Sequence, residues 1–514
     1  MKYYILLYFL LFATATANAQ ESGQLDNSFG NAGITKFDFK PTTQFLPKIV
    51  LQKDGSILAY MQLNFDTLII YRILMDGVLD ETFGINGSVI TTGIRQSAMG
   101  LLNDNSIIAF GSFNDKRLIR HFTPEGKIDS AFGVDGLVTY TFGGIEESVR
   151  DLAITPDNKV VTVGSFSENG NNIYMLVTRF NPDGSLDSSF GEEDGKTIIE
   201  RGSYAQSVAF QKHGSIIVGG SDRGPSPSCR FMLARLTPDG IVDSSFGNNG
   251  ISFTDFDEAG DIINDIAIQP DDKIVAAGIT LLQNMSLKIP SMAIARYLPN
   301  GVSDPEFGAG GKVKQRFDEY SEAFGVALQN NGKIVVSGFT SFTKGNAVLA
   351  RYQSSGRLDS SFGENGITIT DFGTNQDQGN DVVIQPSGRI VVRCTPGLIL
   401  AGYTNNDKLG IITKIRRWIH KNILNFSDVN GTANYYIVEQ QNSGGGFSPV
   451  ARIAADKSNN YSYNISNQKS ANTNYRIKAV YADGAVAYSD AINASVLETD
   501  TKVSISPNPA SSII

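Results

Sequence analysis

Histidine, cysteine and tryptophan are scarce in these 514 residues, at three, two and one. His121, His213 and His420 are scattered and share no metal-ligand spacing. Cys229 and Cys394 cannot make a disulfide framework; one long-range bridge between them stays open, and stability has to come from packing. There is no Gly-x-Ser-x-Gly, P-loop, His-Glu-x-x-His, dinucleotide fingerprint or EF-hand loop, and neither cysteine neighbours a histidine in sequence. No catalytic, cofactor or metal residue is assigned, although a site built from distant loops would leave no motif. After the first twenty residues no apolar run approaches the ~18 residues of a membrane helix, so no span is expected. Lys and Arg number 43 against 52 Asp and Glu, and the formal net charge of -9 excludes bulk electrostatic binding of nucleic acid or anionic lipid.

What is present starts at the N-terminus. Lys2, an apolar run from Tyr3 to Ala13, and Ala17-Asn18-Ala19 before Gln20 have the order of a secretory signal peptide, residues 1–19, cleaved after Ala19. A secreted or cell-surface protein is expected.

The body of the chain repeats itself. Leu25-Asp26-Asn27-Ser28-Phe29-Gly30 opens a motif whose phenylalanines recur at Phe29, Phe83, Phe132, Phe190, Phe246, Phe307 and Phe362. Glycine follows each, and Asp26, Asp80, Asp129, Asp187, Asp243, Asp304 and Asp359 stand three residues before. Downstream of each lies a turn such as Gln52-Lys53-Asp54-Gly55-Ser56-Ile57, with counterparts at 211–216, 269–274, 329–334 and 385–390 and looser versions at 102–107 and 155–160. Asp-Gly and Asn-Gly between apolar residues signal tight hairpins, because both accept positive φ cheaply. In the fifth repeat, β-rich runs at 251–256, 264–269, 273–278 and 292–297 read as four strands. Four short strands in about 50 residues make a propeller blade, and seven copies predict an all-β, seven-bladed β-propeller over residues 22–415. An open solenoid of the same units is the alternative; closure removes exposed edges and is favoured. The closing strand is not legible.

The Leu-Asp-x-Ser-Phe-Gly element coupled to the Gln-x-Asp-Gly-Lys-Ile turn resembles the delta-60 repeat of bacterial secreted proteins, a resemblance that implies a repeat architecture and no particular activity. The seventh copy departs from the pattern: Arg393 to Leu400 intervenes between Ile390-Val391-Val392 and Ala401-Gly402-Tyr403-Thr404, as a loop or a sequence-level error.

Past the repeats, 416–425 reads as a linker with a short helix. Residues 426–498 carry strand-like runs at 435–440, 461–465, 475–481 and 485–488, which predict a small β-sandwich. Tyr436-Ile437-Val438-Glu439, Asn474-Tyr475-Arg476-Ile477-Lys478 and Ala482-Asp483-Gly484 resemble a fibronectin type III-like module. Val503 to Ser512, with Pro507-Asn508-Pro509-Ala510, is similar to the opening of the type A sorting domain of the type IX secretion system of Bacteroidota, so residues 501–514 carry its truncated start. That resemblance implies the type IX machinery as a partner.

A basic residue recurs in the fourth strand of each repeat, read as Arg72, Arg120, Arg179, Arg235, Arg296, Arg351 and Lys414. Either these line the channel for an anionic or sugar ligand, or each bonds the motif aspartate around a blade corner; sevenfold recurrence favours the second, since one ligand site seldom needs every blade alike. Asp183 and Asp187 with their turn carbonyls suggest calcium, but turn formation explains them as well. The functional expectation is a non-enzymatic protein- or glycan-binding module. The alternative is an extracellular polysaccharide hydrolase or lyase, with carboxylates from different blades roughly 5–10 Å apart.

Overall fold

In a computed structural model, which describes residues 22–37 and, with breaks between strands, 48–493, the described residues form strands and turns and no helix. Seven four-stranded antiparallel sheets follow one another. Their inner strands are Ile49–Leu51, Arg95–Leu101, Glu146–Ile154, Gly202–Phe210, Asp261–Ile268, Ser321–Leu328 and Gln378–Ile384. Each packs on the inner strand of the next blade, and the seventh packs on the first. The fold is a seven-bladed β-propeller.

The N-terminal strand closes the ring. Ile34–Phe37 is the outer strand of blade 7, paired with Leu398–Tyr403 in the register Ile34↔Ala401 to Phe37↔Leu398. Sequence repeat and blade are therefore out of phase by one strand. Ile251–Thr254, the first strand of the fifth repeat, is the outer strand of blade 4, paired with Phe231–Leu236. Every junction between blades, the seventh to the first included, is thus crossed by continuous chain, and the ring is closed inside blade 7, where an N-terminal strand pairs with C-terminal ones.

Three expectations are corrected here. Arg393 to Leu400 is no inserted loop: Ile390–Thr395 is the second strand of blade 7 and turns at once into Leu398–Tyr403, so Ala401-Gly402-Tyr403 lies on the third strand. Lys414 lies outside the propeller, in Ile411–Trp418. The expected linker at 416–425, with its helix, is occupied by that strand and its antiparallel partner Lys421–Asp428.

The packing follows from the blade geometry. Second strands such as Ile57–Gln62, Ile216–Asp222 and Ile334–Thr340 are buried along their whole length, because a neighbouring blade covers each face of the sheet. Their near-continuous apolar runs, without strict alternation, are the consequence. The cores lie between blades: Val161, Val163, Met175 and Val177 of blade 3 pack with Ala205, Val218, Met232 and Ala234 of blade 4. Burying one such side chain contributes about 1.5–3 kcal/mol.

Beyond the ring, Ile411–Trp418, Lys421–Asp428 and Asn460–Asn464 form one sheet, while Tyr435–Gln441, Phe447–Ala454, Asn474–Val480 and Val486–Tyr488 form the other. Leu424, Phe426 and Tyr461 from the first meet Tyr436, Val438, Tyr475 and Ile477 from the second in one core. This is the small β-sandwich that the sequence predicts, and it begins with Ile411–Trp418. The expected signal peptide at 1–19 and sorting tail at 501–514 lie outside the described residues.

Candidate functional site

The repeated residues meet at the blade corners. Arg72, Arg179, Arg235, Arg296 and Arg351 donate through Nε to Asp80, Asp187, Asp243, Asp304 and Asp359 at 2.6–2.8 Å. Each guanidinium also lies 4.5–4.9 Å over the motif phenylalanine of its own blade, which opens the next repeat, from Phe83 to Phe362. Nη1 then reaches the following blade, donating to Pro124 O from Arg72 and to Pro299 O from Arg235, both at 2.8 Å. Lys333 adds a second cation to Asp359, and although burial works against ionisation, these donors bring its pKa down to about 2. Charge-assisted bonds in a half-dry corner account for the recurrence, so the corner reading holds over the channel-lining one.

Two blades solve the corner differently. In blade 2 the position belongs to His121, not Arg120: His121 Nδ1 lies 3.0 Å from Asp129, Nε2 lies 3.1 Å from Ser106 Oγ, and the ring stacks on Phe132. In blade 7 the equivalent third-strand residue is Gly402, against which Phe29 packs so closely that an added Cβ would lie 2.6 Å from its ring. Arg389, from the neighbouring turn, supplies the guanidinium instead, 2.6 Å from Asp26 and over Phe29. Arg120 and Lys414 are thus withdrawn from the series.

The lumen holds a cluster that the motif search missed. Four residues before each inner-to-second turn stand Lys48, Ala98, Asp151, Ser207, Asp265, Gly325 and Asp381, one per blade. Lys48 Nζ crosses to Asp151 Oδ2 at 2.9 Å and Asp265 Oδ1 at 3.0 Å. Ser207 Oγ joins the same two carboxylates at 3.0 and 2.8 Å. Each acceptor also takes a backbone N–H from the next blade: Val208 to Asp151, Ile266 to Ser207, Val326 to Asp265 and Ile49 to Asp381. Burial disfavours the Lys48 charge, yet Asp151, Asp265 and Asp381 hold its pKa well above the ordinary lysine value. Burial, with Asp265 nearby, pushes Asp381 up to about 7 against the pull of Lys48. Arg393, opposite Asp381 in the register, is buried and lowered to about 10 by burial. Superimposing the seven turns would have revealed this layer in the sequence.

Above the layer, the inner strands bulge. The register shifts between Val149 and Asp151, Ala205 and Ser207, Ile263 and Asp265, Ala323 and Gly325, and Gly379 and Asp381, extruding Arg150, Gln206, Asn264, Phe324 and Asn380. A bulge re-aims one side chain and pushes backbone toward the second strand. Glycine must then stand opposite: a Cβ on Gly164, Gly220, Gly278 or Gly338 would lie 1.8–2.0 Å from an inner-strand carbonyl oxygen. Asn264 donates to Glu322 Oε1 at 3.0 Å and Tyr320 OH donates to Glu322 Oε2 at 2.5 Å. Burial raises the Glu322 pKa.

The remaining sequence candidates fall elsewhere. Asp183 accepts from Ser185 N and Oγ within its own turn, and Asp187 is engaged by Arg179 and Lys159, so turn and corner account for both carboxylates. Among the described residues no His, Cys, Asp and Glu group has metal-binding geometry. Cys229 and Cys394 are not joined in a disulfide, and burial raises the Cys394 thiol pKa. His213 is exposed on its turn, and His420 lies outside the described residues.

The repeats match a propeller family model. The family described as "Domain of unknown function (DUF5122) beta-propeller" matches residues 155–190, 211–246, 269–307 and 329–362. Each match runs from an inner-to-second turn to a corner phenylalanine, in blades 3 to 6. No curated protein matches the chain. Among solved structures, a point mutant of the GH43 protein BlXynB from Bacillus licheniformis is similar at 11% identity and a TM-score of 0.27, over 90% of this chain and 91% of that one. A score that low carries no argument about activity.

Proposed function

We propose that this chain is a secreted or cell-surface propeller that binds a protein or glycan without transforming it, through the face that carries the unequal second-to-third strand connections and through the mouth of the lumen above Lys48. The observation that carries this reading is how the converging carboxylates are used. Asp151 and Asp265 share Lys48 and Ser207 and accept backbone N–H groups from the next blades, so their lone pairs tie blades together instead of facing a substrate. Export rests on the sequence alone: the signal peptide at 1–19, and the tail at 501–514 as the part addressed to type IX secretion machinery.

One observation favours the hydrolase alternative. Asp381, with a pKa near 7, stands in the same layer as Asp151 and Asp265, and a proton-bearing acid near other carboxylates is the pairing glycoside hydrolysis needs. Glycan-array binding by the chain without its leader, with reducing ends measured on every glycan it retains, separates the two. Retention without cleavage is expected. Cleavage that is lost in Asp265→Asn would replace binding with hydrolysis.

A further inference from the structure

One cation at the lumen mouth has no partner among the described residues. Arg150 is extruded by the blade 3 bulge between Val149 and Asp151, both buried, and is itself exposed. It sits on an innermost strand, where the solvent it meets is that of the lumen and its mouth. Among the described residues its guanidinium donates no hydrogen bond and forms no ion pair, unlike the corner arginines and the buried Arg393. Burial nevertheless lowers its pKa, and Tyr204 of blade 4 stands close to it.

The equivalent residues in other blades are neutral. Asn264 is taken up by Glu322, Asn380 by Arg393, and Gln206 and Phe324 complete the described set. Arg150 is the basic member, and beside it Tyr204 is 38% exposed between the buried Ser203 and Ala205 of the blade 4 inner strand. In the layer beneath, Asp151, Asp265 and Asp381 already face Lys48 and Arg393. An uncommitted guanidinium suits a carboxylate, and a phenol ring with a Gln206 amide nearby suits the apolar face and hydroxyls of a pyranose.

We propose that Arg150 and Tyr204, at the lumen mouth between blades 3 and 4, bind the carboxylate and ring face of a uronate residue in an acidic glycan. This rests on the glycan arm of the binding reading. The guanidinium grips the carboxylate through two parallel N–H donors, and Tyr204 stacks on the sugar.

Calorimetric titration of the chain without its leader with oligogalacturonate, its methyl ester, a neutral glucan and poly-glutamate tests this at low and high salt. Tighter binding of the free acid is expected, weakened by salt. Arg150→Gln should cost about ten- to hundredfold in affinity, Arg150→Lys less, and Tyr204→Ala about tenfold, with unchanged thermal unfolding. Equal binding of acid and ester, or an unaffected Arg150→Gln, overturns the site and leaves glycan binding standing. Preference for poly-glutamate overturns it in favour of an acidic peptide. Binding of no glycan overturns both this site and the glycan arm.

Discussion

The two faces of the propeller obey different rules. On one, the connection from inner to second strand is five residues long in every blade, from 52–56 to 385–389, and the corner motif recurs with its aspartate, phenylalanine and cation. On the other, second-to-third connections run from two residues at 396–397 to eight at 223–230. The regular face spends its charges on protein: guanidinium to carboxylate, then to the next blade's carbonyl. At the irregular face Arg150 and Tyr204 are left over. Repetition marks what holds the ring together, and its interruption marks where a ligand has room.

The sharpest way to break the regular face is to remove its N-terminal contribution. Deleting residues 22–37 takes away the outer strand of blade 7, Asp26 and Phe29 together. Loss of cooperative unfolding, read by circular dichroism, is expected. A single corner is the next test. Arg351 is fully buried and binds Asp359, Ser22 and Asn405, so Arg351→Ala leaves Asp359 to Lys333 alone and should cost about 3 kcal/mol by urea unfolding. Ligand binding by the surviving folded fraction should not change.

Lumen and corner should also differ in the sign of their pH dependence. A carboxyl raised to about 7 when folded, against an ordinary value near 4, binds its proton more tightly in the native state. Asp381 therefore lowers stability progressively as pH rises from about 4 through 7, by on the order of 4 kcal/mol in all. Asp381→Asn should flatten that slope in urea midpoints between pH 5 and 8. Asp359, lowered to about 2, acts oppositely: its contribution is complete above pH 4 and disappears as pH falls toward 2. The smallest effect on stability belongs to the irregular face, where Phe324→Ala, half-buried at a bulge, should shift the urea midpoint by no more than about 1 kcal/mol.

Much of this architecture was legible in the sequence because a repeated residue reports a repeated environment. The Asp and Phe of the corner could be counted, and the blade number followed. The errors fell where one blade departs from the rest: His121 standing for arginine, Arg389 reaching in from a turn because Gly402 leaves no side chain to do so, and a tight hairpin at 396–397 that made blade 7 look interrupted. The lumen layer was missed for the opposite reason. Lys48, Asp151, Ser207 and Asp265 are different residue types sharing a position, and their partnership exists only across the ring. Arg150 was illegible because a bulge, not a motif, aims it.

The closure by Ile34–Phe37 also sets the order of events in the life of the chain. At roughly 5–20 residues per second, the partner of Ile34 leaves the ribosome some 20 to 70 seconds after Ile34 itself, since that partner is Ala401. Throughout that interval blades can stack one upon another, but the circle stays open, with one unpaired strand at its beginning and an unfinished sheet at its end. Such edges invite foreign strands. The pairing that makes the ring rigid is thus the last the propeller can form.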